Sequence, residues 1–296
     1  AIDAYHMTAC TIDEGVRRLI AVGADPGHIG GVDNFCWPSI QYHPEKNPDG
    51  RFKAAQLVRA CRALKDLCLA YGIPLLSGKD SMYVDGHLAG PYGESHKVSA
   101  LETLQFSTIG VIGEIDACTT LDAKAAGDRV YILGTTRNEM GASEYYAHLG
   151  YIGRNVPEVR TDEALPLYKM LSTAVARGLA ASVHGVYRGG LGVHLAMVAM
   201  GGRLGMTIDL GGVPTDGVAR DDAILFSESA GRFIVTVPAD RCEAFEKRMA
   251  GAAFACVGTV TESPDLVIRG RDGSPLLSLP MADLISAWKG TFGDLV

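Results

Sequence analysis

Short apolar runs of strand length alternate with longer segments of helical periodicity along this 296-residue chain. Such interleaving restricts the fold to the mixed α and β classes, in which helices cover sheets. A chain of this length buries a large core and ordinarily makes one or two domains. Its balance of 47% hydrophobic to 21% charged residues is that of a globular chain.

Ile2 to Ala9 reads as a short strand or extended lead-in. Thr11-Ile12-Asp13-Glu14 has the capping-box form, and Ile12, Val16, Leu19 and Ile20 then share one helical face up to a stop at Gly23. His28 to Phe35 reads as a strand, followed by a proline-rich loop through Gly50. A long helix is expected over Phe52 to Tyr71, with Leu57, Cys61, Leu64 and Cys68 at helical spacing. The segment from Asp85 to Lys97 reads as flexible, and Leu104 to Gly113 as a buried strand. Short, alanine-rich, polar text around Asp116 to Gly127 marks a boundary, giving domains over 1–115 and 116–296. In the second, strands are expected at Arg129–Leu133, Ala181–Val186, Met206–Leu210, Arg232–Val237, Ala255–Thr261 and Leu266–Arg269. Helices are expected at Ser143–Leu149, Asp162–Leu179, Leu191–Met200, Ala239–Met249 and Met281–Lys289.

The stretch with most chemical content is Pro74-Leu75-Leu76-Ser77-Gly78-Lys79-Asp80-Ser81-Met82-Tyr83. It reads as a buried strand that delivers a small, polar turn to one edge of a sheet. Gly78 lets backbone approach a ligand, Lys79 can neutralise a phosphate, Ser81 can donate or accept, and Asp80 can orient Lys79. A Walker A loop is excluded, because Ile73 stands where its first glycine belongs and Asp80 where its Ser or Thr belongs. An ordinary strand-to-strand turn is the alternative.

The formal net charge of -7, with no run of lysine or arginine, argues against a nucleic-acid surface. No apolar stretch approaches the ~20 residues a membrane helix needs. Seven cysteines, an odd number without C-x-x-C spacing, fit reduced thiols in the cytoplasm. The opening Ala1-Ile2-Asp3 reads as the middle of a longer polypeptide.

Six separated stretches, taken in order, carry a resemblance: Asp13–Gly23, Asp33–Pro38, Ser77–Met82, Gly141–Tyr145, His184–Leu191 and Leu225–Phe233. Together they resemble the C-terminal half of the synthetase subunit in the phosphoribosylformylglycinamidine synthase family of purine biosynthesis, over almost the whole chain. The resemblance implies an α/β, PurM-like fold, that of aminoimidazole ribonucleotide (AIR) synthetase. An N-terminal α/β domain pairs its sheet with a counterpart to make a barrel, and a C-terminal α/β domain follows. It also implies ATP and Mg²⁺ as cofactors of the complete enzyme, in which ATP activates a formylglycinamide oxygen as a phosphate ester and ammonia displaces the phosphate. The implied partners are the N-terminal half of the synthetase, which holds the catalytic histidine and most metal carboxylates, and a glutaminase that makes the ammonia. Alone, the chain is expected to self-associate through the exposed sheet face of its first domain.

By the same resemblance Gly78 lies against ATP and Ser81 against the nucleotide substrate, with Lys79 acting on phosphate charge. Asn34 matches an asparagine common to the family and could face the nucleotide, or could bond its own backbone in a turn. Glu14 matches a magnesium ligand of long family members, but Arg18 stands where the co-ligand belongs, so a cap or an ion pair with Arg18 is favoured over metal. Where the family often reads His-Asp-x-Ser-Asp-Gly-Gly, this chain reads His184-Gly185-Val186-Tyr187-Arg188-Gly189-Gly190. Both carboxylates are replaced, so an auxiliary nucleotide site within this half is expected to be degenerate. Gly189 and Gly190, opening a helix, could still take a lone anion with Arg188. Glu228-Ser229-Ala230 is expected to be structural, and His43, His87, His96 and His148 to be surface or capping residues. The alternatives to a loop-donating ligase half are a self-sufficient ATP-using relative of the same fold and a purely structural half.

Overall fold

The computed structural model describes residues 2–290, which divide into two units. The first takes the residues up to Val16 together with Gly27–Gly110, and the second takes Arg17–Pro26 together with everything from Val111 onward.

The opening helix, α1 (Ala4–Ala21), occupies the stretch expected to be extended. Its cap is Asp3, whose Oδ1 accepts from the N–H groups of Tyr5 and His6 at 2.8 and 3.1 Å. Ala4, Thr8, Ile12, Val16 and Ile20 then form one buried stripe at four-residue spacing. Thr11 is therefore interior to the helix, and its hydroxyl bonds back to the Met7 carbonyl at 2.9 Å instead of capping. Glu14 loses its capping-box role for the same reason.

In the first unit β1 (Ile29–Cys36) leads to α2 (Gly50–Tyr71), which ends on Gly72 in the left-handed region at φ 69°. The buried residues of α2 are Gly50, Lys53, Gln56, Ala60, Ala63, Leu67, Cys68 and Tyr71, and Cys61 is exposed. Of the face expected through Leu57, Cys61, Leu64 and Cys68, Cys68 is buried and Leu57 and Leu64 pack half-buried against the core, so Cys61 alone departs from it.

Next come β2 (Leu75–Ser81), β3 (Asp85–Ala89), β4 (Ser95–Ser99) and β5 (Thr103–Gly110). The polar stretch after Leu76 is strand, not turn: β2 pairs parallel to β1 through Ser81. It is an edge strand exposed along its length, so its pairing needs no apolar side chains. The segment expected to be flexible is the hairpin β3–β4, closed by the Gly90 N–H on the Glu94 carbonyl at 2.7 Å and by Gly93 at φ 86°. The sheet order is β2-β1-β5, with β5 antiparallel to β1. Ala4 of α1, Ala60 of α2, Phe35, Trp37 and Leu104 form the core on its covered face.

The second unit runs β6 (Arg129–Leu133), β7 (Thr136–Arg137), α3 (Glu144–His148), α4 (Thr161–Ala176), β8 (Ser182–Gly185), α5 (Gly190–Gly202), β9 (Gly205–Asp209), β10 (Thr215–Asp216) and α6 (Asp221–Phe226). It continues with β11 (Phe233–Val237), α7 (Cys242–Met249), β12 (Phe254–Thr261), β13 (Asp265–Arg269), β14 (Pro275–Pro280) and α8 (Met281–Gly290). The main sheet has seven strands in the order β14-β13-β9-β12-β6-β11-β8, and β7 pairs with β10 apart from it. Every strand expected in this half enters the main sheet. The addition is β14, whose prolines masked it and are tolerated because it is an edge strand.

The interior strand β6 explains the layering. Val130 and Ile132 face a core built with Leu191, Leu195 and Val198 of α5, Ile224 of α6 and Met281 of α8. Tyr131 turns to the other face, where its ring packs on Phe245 of α7, while Tyr168 of α4 meets Phe233 edge-on. Helices thus cover both faces of one sheet.

Trp37 is fully buried and donates its indole N–H to the Lys53 carbonyl at 3.0 Å, joining β1 to α2. Trp37→Ala is expected to destabilise the first unit by about 3–5 kcal/mol. Urea unfolding followed by near-ultraviolet circular dichroism measures it.

Candidate functional site

The two faces of the β2-β1-β5 sheet differ. Side chains alternate along a strand, and residues paired across strands share a face. Asn34 pairs with Lys79 on one side and Gln105 on the other, Cys36 with Ser81 and Thr103, and Val32 with Ser77 and Ser107. These residues lie on the face opposite the helical core. At its far end a Cβ on Gly30 would touch Leu76 and Ile109, both largely exposed. The open face therefore grades from apolar to polar. The polar end gathers Asn34, Lys79 and Ser81 at the carboxyl ends of the parallel pair β1 and β2, the place where parallel strands present ligand groups.

There the Lys79 ammonium donates to the Ser81 hydroxyl, and both are accessible. Lys79 offers only donors, whereas Ser81, Asn34 and Gln105 offer both donors and acceptors. This set suits an oxygen-rich anion. Asp80 does not orient Lys79, because it projects to the opposite face. Asp80 pairs with Phe35, and Asp33 lies two residues from Phe35 on the same face, the one packed on the helices; after burial, their charges push the Cys61 thiol of α2 up. Gly78 faces that side too: a Cβ there would stand 2.9 Å from Asp33 Oδ1. The structure thus brings Asn34, Lys79 and Ser81 together and separates Gly78 from them. A divalent cation does not fit this set, since none of its members is a carboxylate and no group of three or more His, Cys, Asp or Glu suited to a metal occurs among the described residues. Glu14 lies within α1 and so joins no such group.

The second site predicted from sequence is the turn into α5. Gly189 and Gly190 both take positive φ, 96° and 76°. The Gly189 N–H already has an anion: Glu228 Oε1 accepts from it at 2.9 Å and from the Glu144 N–H, at the start of α3, also at 2.9 Å. One internal carboxylate thus serves two helix starts. Burial pushes the Glu228 carboxyl up, against those two hydrogen bonds. The Arg188 guanidinium, 80% exposed, donates to the Glu144 carboxylate. An external anion at Gly189 would have to displace Glu228.

Behind this turn the surroundings are cationic. Arg17 and Arg18 lie over the Tyr187 ring at 4.8 and 4.7 Å, and Arg17 donates to the Val186 carbonyl. His184 Nε2 and His194 Nδ1 are 2.9 Å apart, and His194 Nε2 is 3.2 Å from the Arg188 carbonyl. A carbonyl only accepts, so His194 carries its proton on Nε2 and its Nδ1 accepts from His184 Nε2–H. Burial, then the Arg18 and Arg17 charges, hold His184 down at about 4. Burial and then His184 hold His194 down at about 3. Where a metal-nucleotide site would be acidic, this turn presents neutral imidazoles and guanidinium groups.

Several of these residues escaped the sequence reading. Gln105 and Ser107 alternate with Leu104 and Phe106 in a stretch read as wholly buried, and that alternation was the available signal. Glu228 was expected to be structural, but its position across two helix starts had no local signature. His43 Nδ1 caps the N–H groups of Glu45 and Lys46, at 3.2 and 3.1 Å.

Residues 125–271 match the family described as AIR synthase related protein, C-terminal domain. Over its length the chain is similar in fold to Thermotoga maritima PurL complexed with FGAR, with a TM-score of 0.69 at 18% identity, covering 96% of this chain and 43% of that one. PurLQS from Thermotoga maritima gives a TM-score of 0.67 at 17% identity, covering 96% of this chain and 42% of that one. The hydrogenase maturation protein HypE, in its complex with HypF, gives 0.65 at 16% identity, covering 91% of this chain and 83% of that one. The chain therefore spans well under half the length of the PurL chains it matches, and at these identities the likeness is one of fold.

The histidine pair makes stability depend on pH. Both folded values lie below the ordinary 6.5. Below 6.5 the unfolded chain takes up protons that the folded chain refuses, so stability falls with falling pH. Between pH 6.5 and 5 the loss approaches about 1.4 kcal/mol per pH unit for each histidine. Glu228, whose value is raised by burial, acts in the opposite direction. In denaturant melts across this window, His184→Gln is expected to flatten the slope.

Proposed function

We propose, from the premise that the second unit of this chain belongs to the AIR synthase related C-terminal domain family and that the whole chain has the fold of the PurL chains, that it is one part of an ATP-dependent ligase converting formylglycinamide ribonucleotide to formylglycinamidine ribonucleotide. It contributes the polar end of its open sheet face to a reaction centre completed by the other half of the synthetase, and a glutaminase subunit or domain supplies the ammonia. The observation that carries this reading is the set Asn34, Lys79 and Ser81: accessible donors in register at one strand end, with no metal-binding carboxylate among them. Thermotoga maritima PurL, similar in fold, is known in complexes with FGAR, ATP, AMPPCP and ADP, which supports the same reading.

ATP supplies the phosphoryl group that activates the amide oxygen when it is bound. This chain's residues have a narrower task. Lys79 places a positive charge beside phosphate oxygens, and Ser81, held by Lys79, offers its hydroxyl to the nucleotide substrate. Asn34 can donate or accept between them. Magnesium does not fit these residues, and its ligands in the complete enzyme would come from outside this set. The filled turn at Gly189 supports the view that no second nucleotide is held there.

A competing reading is favoured by length: the chain spans most of the HypE chain, itself known in complex with ATP. On that reading the isolated chain would bind Mg-ATP tightly. Calorimetry on the isolated chain separates the two, since the ligase-half reading expects no tight Mg-ATP binding and no turnover until the missing half is added. No helix among the described residues is long and apolar enough to cross a membrane.

In the complete synthetase, Lys79→Met and Ser81→Ala are each expected to lower kcat/KM by roughly 10- to 100-fold, the scale of a lost hydrogen bond to a charged group, with unchanged circular dichroism. Unchanged kinetics in both would reduce this half to a scaffold. The apolar end of the open face, with Leu76 and Ile109, is expected to make the isolated chain a dimer. Light scattering should then report monomers for Ile109→Glu.

A further inference from the structure

A cavity of about 460 Å³ opens within the second unit, between the bend at Gly134–Thr135, the start of α4, the bend at Ala230–Gly231 and the turn before β12. Its size is that of a small-molecule site, and none of the residues discussed above for function lines it.

The walls are of three kinds. The first is backbone: the N–H groups of Thr135, Ala230 and Gly231 donate to no acceptor among the described residues, so two bends carry three unused donors. The second is a flat ion pair. Arg137 Nη2 donates to both carboxylate oxygens of Glu163, at 2.9 and 3.0 Å, and the Arg137 side chain is only 17% exposed. A held, planar guanidinium is a stacking surface for an aromatic ring. The third is apolar, from Leu167 and Met170, the latter with a sulfur suited to ring contacts.

Charge then selects among ligands. Glu158, Asp162 and Glu163 oppose Arg137 and Arg160 in the lining, leaving it net negative. Both guanidinium groups are already committed: Arg137 to Glu163 and Asp216, Arg160 to Glu139 and Glu158. A phosphate would meet excess carboxylate and no unspent cation. A neutral ring with acceptors for the bend N–H groups and donors for Asp162 or Glu158 meets complementary groups on each side.

We infer that this cavity binds an uncharged, flat nitrogen heterocycle of nucleobase or nucleoside size, and discriminates against its phosphorylated forms. The inference does not rest on the ligase reading. Adenosine and AMP are suitable probes, titrated into the full chain by calorimetry and by saturation-transfer NMR. Adenosine should bind saturably, and AMP at least about tenfold more weakly, the scale of one added charge repulsion near a protein surface. Ala253→Trp, at an exposed position on the rim, should weaken adenosine about tenfold or more with the melting temperature unmoved. Lys79→Met should leave adenosine binding unchanged, which separates this cavity from the sheet face of the first unit. The inference is overturned if adenosine does not bind saturably, if AMP binds as tightly, if binding survives in Ala253→Trp, or if it is lost in Lys79→Met.

Discussion

Pairing on both sides of β1 governs what the first unit can present to a ligand. With β2 parallel on one edge and β5 antiparallel on the other, the register decides which side chains share a face. Asn34, Lys79 and Ser81 are collected on the uncovered side by that register alone. The same register sends Gly78, Asp80 and Asp33 toward α2, where acids can neither steer Lys79 nor hold a metal beside it. A slip of one residue would exchange the two sets.

In the second unit the organising feature is that the chain's own Glu228 carboxylate occupies the N–H groups an external anion would use. Glu228 supplies the negative charge that two helix starts favour, and Arg188 and Glu144 neutralise one another beside it. The fully buried Arg232 secures the adjacent bends by donating to the Ser229 and Ser227 carbonyls and to the Thr136 hydroxyl. Burial, then the nearby Arg17 charge, hold this guanidinium down at about 9, against the pull of Glu139 and Glu228. Glu228 and Arg232 are both hydrogen-bonded within this cluster, which leaves it little to offer a nucleotide.

Much of this architecture was legible in the chain because its signals are local. The strands of the second unit are apolar runs of the right length, and α2 announces itself by length and by its terminal glycine. Where reading failed, the deciding information was distant or positional. The start of α1 depends on a cap at Asp3 and a stripe at four-residue intervals that begins with a small alanine and a threonine. The strand character of Ser77 to Ser81 comes from pairing with β1, which no property of those five residues discloses. Of the candidate ligand groups, Lys79 and Ser81 could be named from their neighbours, but their separation from Gly78 and Asp80 required the pleat. The carboxylate that fills the Gly189 turn comes from a residue far along the chain, beyond the reach of any motif.

The Glu228 bridge also constrains how this turn could ever be changed. Introducing an aspartate at position 188 would set a second negative charge beside a carboxylate that burial already disfavours, and would strip Glu144 of its counter-ion. Removing Glu228 first would leave two amides bare. Neither order of steps passes through a comfortable intermediate, so the turn is locked against piecemeal redesign, and an engineer wishing to seat a nucleotide there must alter both positions at once.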